Sequence, residues 1–81
     1  MNKLFLKYLL DNGWVESGPF SFNKKNFSIM ADTGSWLELS ADNKRFKDVA
    51  MPNDLNYKTI YSEIERLFEK HDFNKKGLKK L

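Results

Sequence analysis

The fold is decided by residues 20–49, which read FSFNKKNFSIMADTGSWLELSADNKRFKDV. Apolar and polar side chains alternate in four short runs of this stretch, and successive side chains of a strand point to opposite faces of its sheet. Turn-forming residues separate the runs at 23–26, 32–35 and 42–44. The pattern predicts a four-stranded antiparallel meander with one apolar face and one mixed face. It leaves open whether residues 14–16 pair with the sheet or cover one of its ends.

A first helix is predicted from the residues that precede the sheet. Asn2 can cap a helix that ends near Asp11, where an Asn-Gly pair supplies a stop. The apolar side chains of this helix cover about 240° of its circumference, whereas one packing face needs a stripe of only somewhat over about 100°. Leu6 and Leu10 lie at the far edge of that arc. Either the helix is enclosed within the fold, or these two leucines contact another chain.

A second helix is predicted after the sheet, from Tyr57 to His71. Apolar side chains recur there at i, i+3, i+4 and i+7 and form a single stripe, as in a helix that packs one face on a core. Asn56 is the expected cap, with Leu55 and Ile60 at the positions of a hydrophobic staple. We therefore predict an α+β fold: a four-stranded antiparallel β-meander flanked and packed by an N-terminal and a C-terminal α-helix.

Length and charge predict one small domain with a basic end. A chain of 81 residues has room for a single small core, and we assign residues 1–73 to one α+β domain. Residues 70–81 contain five lysines and one aspartate, a net +4, whereas the whole chain has a formal net charge of +3. We expect residues 74–81 to form a basic, flexible tail. Such a tail either attracts nucleic acid or an acidic partner, or simply keeps the terminus solvated.

Composition excludes several classes of protein. The chain has no cysteine, so it is neither a disulfide scaffold nor a thiolate metal site. The apolar stretch at residues 1–10 is shorter than the ~20 residues of a membrane helix, and no small-residue cleavage site follows it. These observations predict a cytoplasmic protein with no membrane partner.

Residues that could support catalysis are few. His71 is the only histidine, and no motif positions a serine or a phosphate-binding loop beside it. Asp32-Thr33-Gly34 resembles the active-site triplet of aspartic proteases, which would require a dimer because that chemistry uses two aspartates. The same three residues also form an ordinary hairpin turn. We predict a chain that is not an enzyme and has no metal, cofactor or small-molecule substrate.

The mixed face of the predicted sheet carries the candidate site. Trp36 and Met30 are expected on adjacent strands, beside basic residues of the last strand. Tryptophan and arginine are enriched in the hot spots of protein interfaces. The residues predicted to bind a partner protein are Trp36, Met30, Arg45, Lys47, Leu6 and Leu10.

Two other interpretations of the mixed face remain open. Aromatic and basic side chains on an open sheet also bind single-stranded RNA or DNA. That alternative would use Trp36 together with a set of lysines: Lys24, Lys25, Lys75, Lys76, Lys79 and Lys80. In the last interpretation the segment around Trp14, or the basic tail, covers the face.

The order of the predicted elements supports one resemblance. A helix over residues 1–12, a meander over 20–49 and a helix over 57–71 resemble, in architecture, small accessory proteins of phages and mobile elements of the anti-CRISPR type. The resemblance implies stoichiometric inhibition of an RNA-guided nuclease by blocking guide-RNA loading or target entry. The partner would then be a protein or a nuclease–RNA complex. The sequence also leaves a homodimer open.

Overall fold

The computed structural model describes residues 2–31 and 35–80, with side chains up to residue 74. The elements, in chain order, are α1 (Lys3–Asp11), β1 (Val15–Gly18), β2 (Ser21–Lys24), β3 (Phe27–Ala31), β4 (Trp36–Ala41), β5 (Lys44–Ala50) and α2 (Tyr57–Lys80). The α+β class is confirmed, and so is an antiparallel sheet that one helix precedes and another follows in the chain. The predicted triplet Asp32-Thr33-Gly34 lies outside the described residues.

The sheet has five strands, whereas the sequence predicted four. Its strand order is β1-β2-β3-β4-β5, and each strand pairs antiparallel with the next. The extra strand is β1, in which Val15 pairs with Asn23 and Glu16 with Phe22. All three residues from Val15 to Ser17 are exposed. The segment therefore lacks the apolar alternation by which a half-buried strand is recognised in a sequence.

Both helices pack on one face of the sheet and enclose the core. The cap of α1 is Asn2, whose side-chain oxygen accepts a hydrogen bond from the backbone N–H of Phe5 at 3.0 Å. The aromatic ring of Phe68 on α2 stacks on Phe27, with ring centroids 4.3 Å apart. The buried apolar core comprises Phe5, Leu9, Trp14, Phe22, Ile29, Leu37, Leu39, Val49, Tyr61, Ile64 and Phe68.

The start of α2 differs from the prediction. The cap is built from Asn53 and Asn56 together: the Asn53 side chain accepts from the backbone N–H of Asn56 at 2.9 Å, and the Asn56 side chain accepts from that of Asn53 at 2.7 Å. This reciprocal pair has the arrangement of a capping box. The predicted hydrophobic staple is wrong, because Leu55 is 96% exposed.

The end of α2 also differs, because the helix continues to Lys80 and not to His71. The prediction followed the apolar stripe, which stops at His71. Beyond that point the sequence is rich in lysine, a good helix former that needs no buried face. Residues 74–80 are therefore part of a helix, while the flexibility of the 74–81 tail stays a prediction. No helix in the described part of the chain is both long and apolar enough to cross a membrane.

Candidate functional site

One face of the sheet is left uncovered by the two helices. Register places its residues in rows, because Ser21, Met30, Glu38 and Asp48 stand side by side across four strands. A second row contains Asn23, Ser28, Ser40 and Arg45. We call this surface the open face, formed by Ser21, Asn23, Ser28, Met30, Trp36, Glu38, Ser40, Arg45 and Asp48.

Trp36 and Met30 form an apolar patch at one end of the open face. Trp36 is 53% exposed and Met30 is 48% exposed. Met30 pairs with Glu38, so Trp36 is its diagonal neighbour, two residues along β4. Diagonal pairs in a sheet lie about 7–8 Å apart at Cα, which is within reach of an aromatic side chain. The residue opposite Trp36 on β5 is Ala50, whose small side chain leaves that side of the indole accessible.

Arg45 stands opposite Ser40, two rows along the open face from Trp36, and its charge is already paired. Its Nε donates to Oδ1 of Asp48 at 3.0 Å, and its Nη2 lies 2.5 Å from Oδ2 of the same carboxylate. Nη1 lies 3.6 Å from Oε2 of Glu38. A forked contact of this kind fixes the guanidinium plane. Two carboxylates around one guanidinium give this cluster a net charge of −1.

Lys47 does not lie with Arg45, contrary to the prediction. A β-bulge interrupts the pairing of β4 with β5, so that Leu39 stands opposite Lys47 while Ser40 stands opposite Arg45. Leu39 is fully buried against the helices. Lys47 is therefore on the helix side of β5, where it is exposed at the edge of the sheet.

The bulge was visible in the sequence but was not recognised there. Phe46 contacts Phe68 on the helix side, with ring centroids 5.7 Å apart, and Val49 is buried on the same side. Two residues three positions apart cannot both face inward in a regular strand, since its side chains alternate. Their spacing implies an extra residue between them, and that residue moves Asp48 onto the open face.

The structure separates the predicted partner-binding residues into two surfaces. Leu6 and Leu10 belong to α1, which packs on the helix side of the sheet, away from Trp36. Leu6 is partly buried against the core, whereas Leu10 is 49% exposed. These leucines and the open face therefore cannot form one continuous contact area.

The predicted nucleic-acid residues are not gathered on the open face either. Nζ of Lys24 donates to the backbone carbonyl of Asn12 at 2.7 Å, which ties the β2–β3 hairpin to the end of α1. Lys25 is exposed in the β2–β3 turn, at the opposite end of the sheet from Trp36. The side chains of Lys75, Lys76, Lys79 and Lys80 lie outside the described part of the chain.

Metal-ligand clusters are absent from the side chains that the structure describes. Among residues 2–31 and 35–74, no three histidine, aspartate or glutamate side chains come together as metal ligands. The ring of His71 packs against Phe46, with centroids 4.6 Å apart.

Comparison with protein-family models, with curated proteins and with solved structures finds no match to this chain.

Proposed function

We propose that this chain is a small, non-enzymatic protein that binds another protein through its open face. The observation that carries the proposal is the half-exposed pair of Trp36 and Met30, on the same face as an arginine that two carboxylates hold in place. A large aromatic side chain on a rigid strand loses little conformational entropy when it is buried by a partner. The surrounding serines and Asn23 supply a polar rim.

Charge favours a protein over a nucleic acid as the occupant of this face. Phosphate-binding surfaces present free cations, whereas Arg45 is paired with Asp48 and Glu38. The cluster has a net charge of −1, which repels a phosphate backbone. A protein partner can instead exchange hydrogen bonds with both the carboxylates and the guanidinium.

The resemblance to anti-CRISPR proteins suggests the kind of partner. In that form of the proposal, the open face binds an RNA-guided nuclease in the cytoplasm and blocks guide-RNA or target engagement by occupying the surface. Inhibition would be stoichiometric, because the proposal assigns no catalytic role to any residue.

Affinity capture from a host lysate, with and without nuclease treatment, tests the proposal. The bait is the wild-type chain, and the test variant is Trp36→Ala with Met30→Ala. The matched control is Phe73→Ala, which removes another exposed aromatic side chain on α2. We expect one protein to be retained stoichiometrically after nuclease treatment by wild type and control, and lost from the double variant.

Thermal unfolding of the same three chains tests whether the double variant is still folded. Since Trp36 and Met30 are half-exposed, their removal is expected to change stability by less than about 1 kcal/mol. Retention of the captured protein by a folded double variant contradicts the proposed role of the open face. A large loss of stability would show instead that the two side chains belong to the core.

Nucleic-acid binding is the second candidate, and the lysine-rich end of α2 is the observation in its favour. Residues 70–80 have a net charge of +4, on a helix that continues past the last core residue, Phe68. In this form the contact is electrostatic and lies on α2, so its affinity should fall steeply as salt is raised.

A further inference from the structure

Phe20 has a backbone conformation that is unfavourable for its residue type. Its φ angle is +60°, in the left-handed region. This region costs a residue with a side chain on the order of 1–2 kcal/mol, and glycine or asparagine usually occupies it. The carbonyl of Phe20 accepts from the N–H of Ala31 at 2.8 Å, so the backbone is held there by the sheet.

The side chain of Phe20 is too little buried to offset this conformational cost. It is 57% exposed, although it is a large aromatic group. Any residue can supply the carbonyl that bonds to Ala31, and asparagine would do so with less strain. The fold alone therefore does not account for a phenylalanine at this position.

Phe20 forms one wall of a hollow on the helix side of the sheet. The hollow has a volume of about 170 Å³ and is lined by Leu6, Glu16, Pro19, Phe20 and Phe22. A cavity of about 150 Å³ is enough to hold a benzene molecule, so this one has room for one apolar side chain. Leu10, one turn after Leu6 on α1, extends the apolar surface beyond it.

Glu16 supplies the only charge among the residues that line this hollow. Its side chain is exposed and makes no hydrogen bond or ion pair with the residues that the structure describes. An unpaired carboxylate beside an apolar hollow is complementary to a cation that adjoins an apolar group.

We propose that this corner is a second docking surface, for a protein segment that inserts one apolar side chain into the hollow and places a lysine or arginine beside Glu16. The surface, which we call the Phe20 corner, consists of Leu6, Leu10, Glu16, Pro19 and Phe20. It lies on the opposite side of the sheet from Trp36. It is therefore independent of the proposed function of the open face.

Strand addition at the neighbouring edge is a poorer explanation for this surface. β1 is an edge strand of four residues, its pairing is irregular between Glu16 and Gly18, and Pro19 follows it directly. Short, bulged strands that end at proline are features that prevent edge pairing. The contact is accordingly made by side chains.

Selection from a library of random 12-residue peptides tests the proposal. Peptides are selected on the Trp36→Ala chain, so that the open face does not compete, and are then compared on wild type, Phe20→Asn and Glu16→Gln. Enriched peptides should share an apolar residue next to lysine or arginine. They should bind Phe20→Asn at least about tenfold more weakly, a loss typical of a hot-spot residue.

The other variants separate the contributions of the site. Glu16→Gln should weaken the binding of basic peptides several-fold. It should leave unchanged the binding of the same peptides with lysine replaced by glutamine. Trp36→Ala should bind the peptides like wild type. Phe20→Asn should melt no lower than wild type, since asparagine tolerates the left-handed backbone. A measurement of its melting temperature confirms that the variant is folded.

Three results would overturn the proposal. One is failure to enrich any peptide, and another is equal binding of the enriched peptides to wild type and Phe20→Asn. The third is a wild-type chain that sediments as a dimer while Phe20→Asn is a monomer. In that case the occupant of the corner is a second copy of this chain.

Discussion

Arg45 and Asp48 are three residues apart on one strand, yet their side chains meet on the same face of the sheet. Nε and Oδ1 lie 3.0 Å apart, and Nη2 and Oδ2 lie 2.5 Å apart. Side chains three apart in a regular strand point to opposite faces, so it is the bulge in β5 that brings the pair together. The bulge thus determines the charge that the open face presents to a partner.

Removing the carboxylates should turn the open face into a surface that attracts nucleic acid. Asp48→Asn with Glu38→Gln leaves Arg45 as the only charge of the cluster and changes its net charge from −1 to +1. We expect affinity for a single-stranded oligonucleotide to rise, as measured by fluorescence anisotropy at low salt. The stability change should be under about 1 kcal/mol, because exposed ion pairs contribute little.

Arg45→Ala in the background of those two substitutions is the matched control for this experiment. It changes the charge of the cluster from +1 to 0, so the gain in oligonucleotide affinity should be lost. A gain that persists without Arg45 would mean that the guanidinium is not what attracts phosphate to the open face. The electrostatic argument for a protein partner would then be contradicted.

Deleting residues 75–81 should remove oligonucleotide affinity without unfolding the domain. The deletion takes away four lysines and changes the formal net charge from +3 to −1. The last core residue of α2 is Phe68, and the described contacts extend only to His71. We therefore expect little change in the urea midpoint and a flatter dependence of oligonucleotide affinity on salt.

An oligonucleotide affinity that survives the deletion would place the contact elsewhere on the chain. Lys25→Ala then distinguishes the β2–β3 turn from the remaining surface, because Lys25 is exposed there. Lys24 is unsuitable for this comparison. Its ammonium group bonds to the carbonyl of Asn12, and its removal would disturb the end of α1.

The fold could be predicted wherever burial imposed a period on the sequence. The alternation over residues 20–49 predicted one apolar face, and Phe22, Ile29, Leu37 and Leu39 on that face are all buried. β1 was left undecided because its side chains are exposed and carry no such period. The continuation of α2 to Lys80 was missed because the apolar stripe in the sequence stops at His71.

The candidate site could be predicted in part. The structure places Trp36, Met30 and Arg45 on the open face, as alternation indicated, and their binding role stays a prediction. Lys47 was predicted on this face but lies on the helix side, because one inserted residue reverses the facing of every side chain after it. The strain at Phe20 could not be read from the sequence, since a φ angle depends on how the neighbouring strands hold the turn.

The buried hydrogen bond between Trp14 and Tyr61 should couple the two residues energetically. Nε1 of Trp14 donates to the Tyr61 hydroxyl at 3.1 Å, and it joins the start of the sheet to α2. Tyr61→Phe leaves a buried N–H without its acceptor, which costs about 1–3 kcal/mol. Trp14→Phe removes the donor as well as some packing. In a double-mutant cycle by urea unfolding, we expect a coupling of about 1 kcal/mol; additive losses would show that the bond contributes nothing net.

Tyr61 should also make the domain less stable in alkali. Burial raises the pKa of its hydroxyl above the ordinary value, and the nearby Glu65 carboxylate adds to that effect, while the hydrogen bond from Trp14 acts in the opposite direction. Below about pH 10 the hydroxyl is protonated in both the folded and unfolded states, so it contributes no pH dependence. Above that pH the unfolded chain loses the proton first, and stability falls as pH rises through the folded pKa.

The measurement is the free energy of unfolding at pH 9 to 11 for wild type, Tyr61→Phe and the control Tyr57→Phe, which keeps the Tyr61 hydroxyl. Tyr61→Phe should show a shallower fall than the other two chains; equal slopes in all three would mean that the Tyr61 proton is not held by the fold.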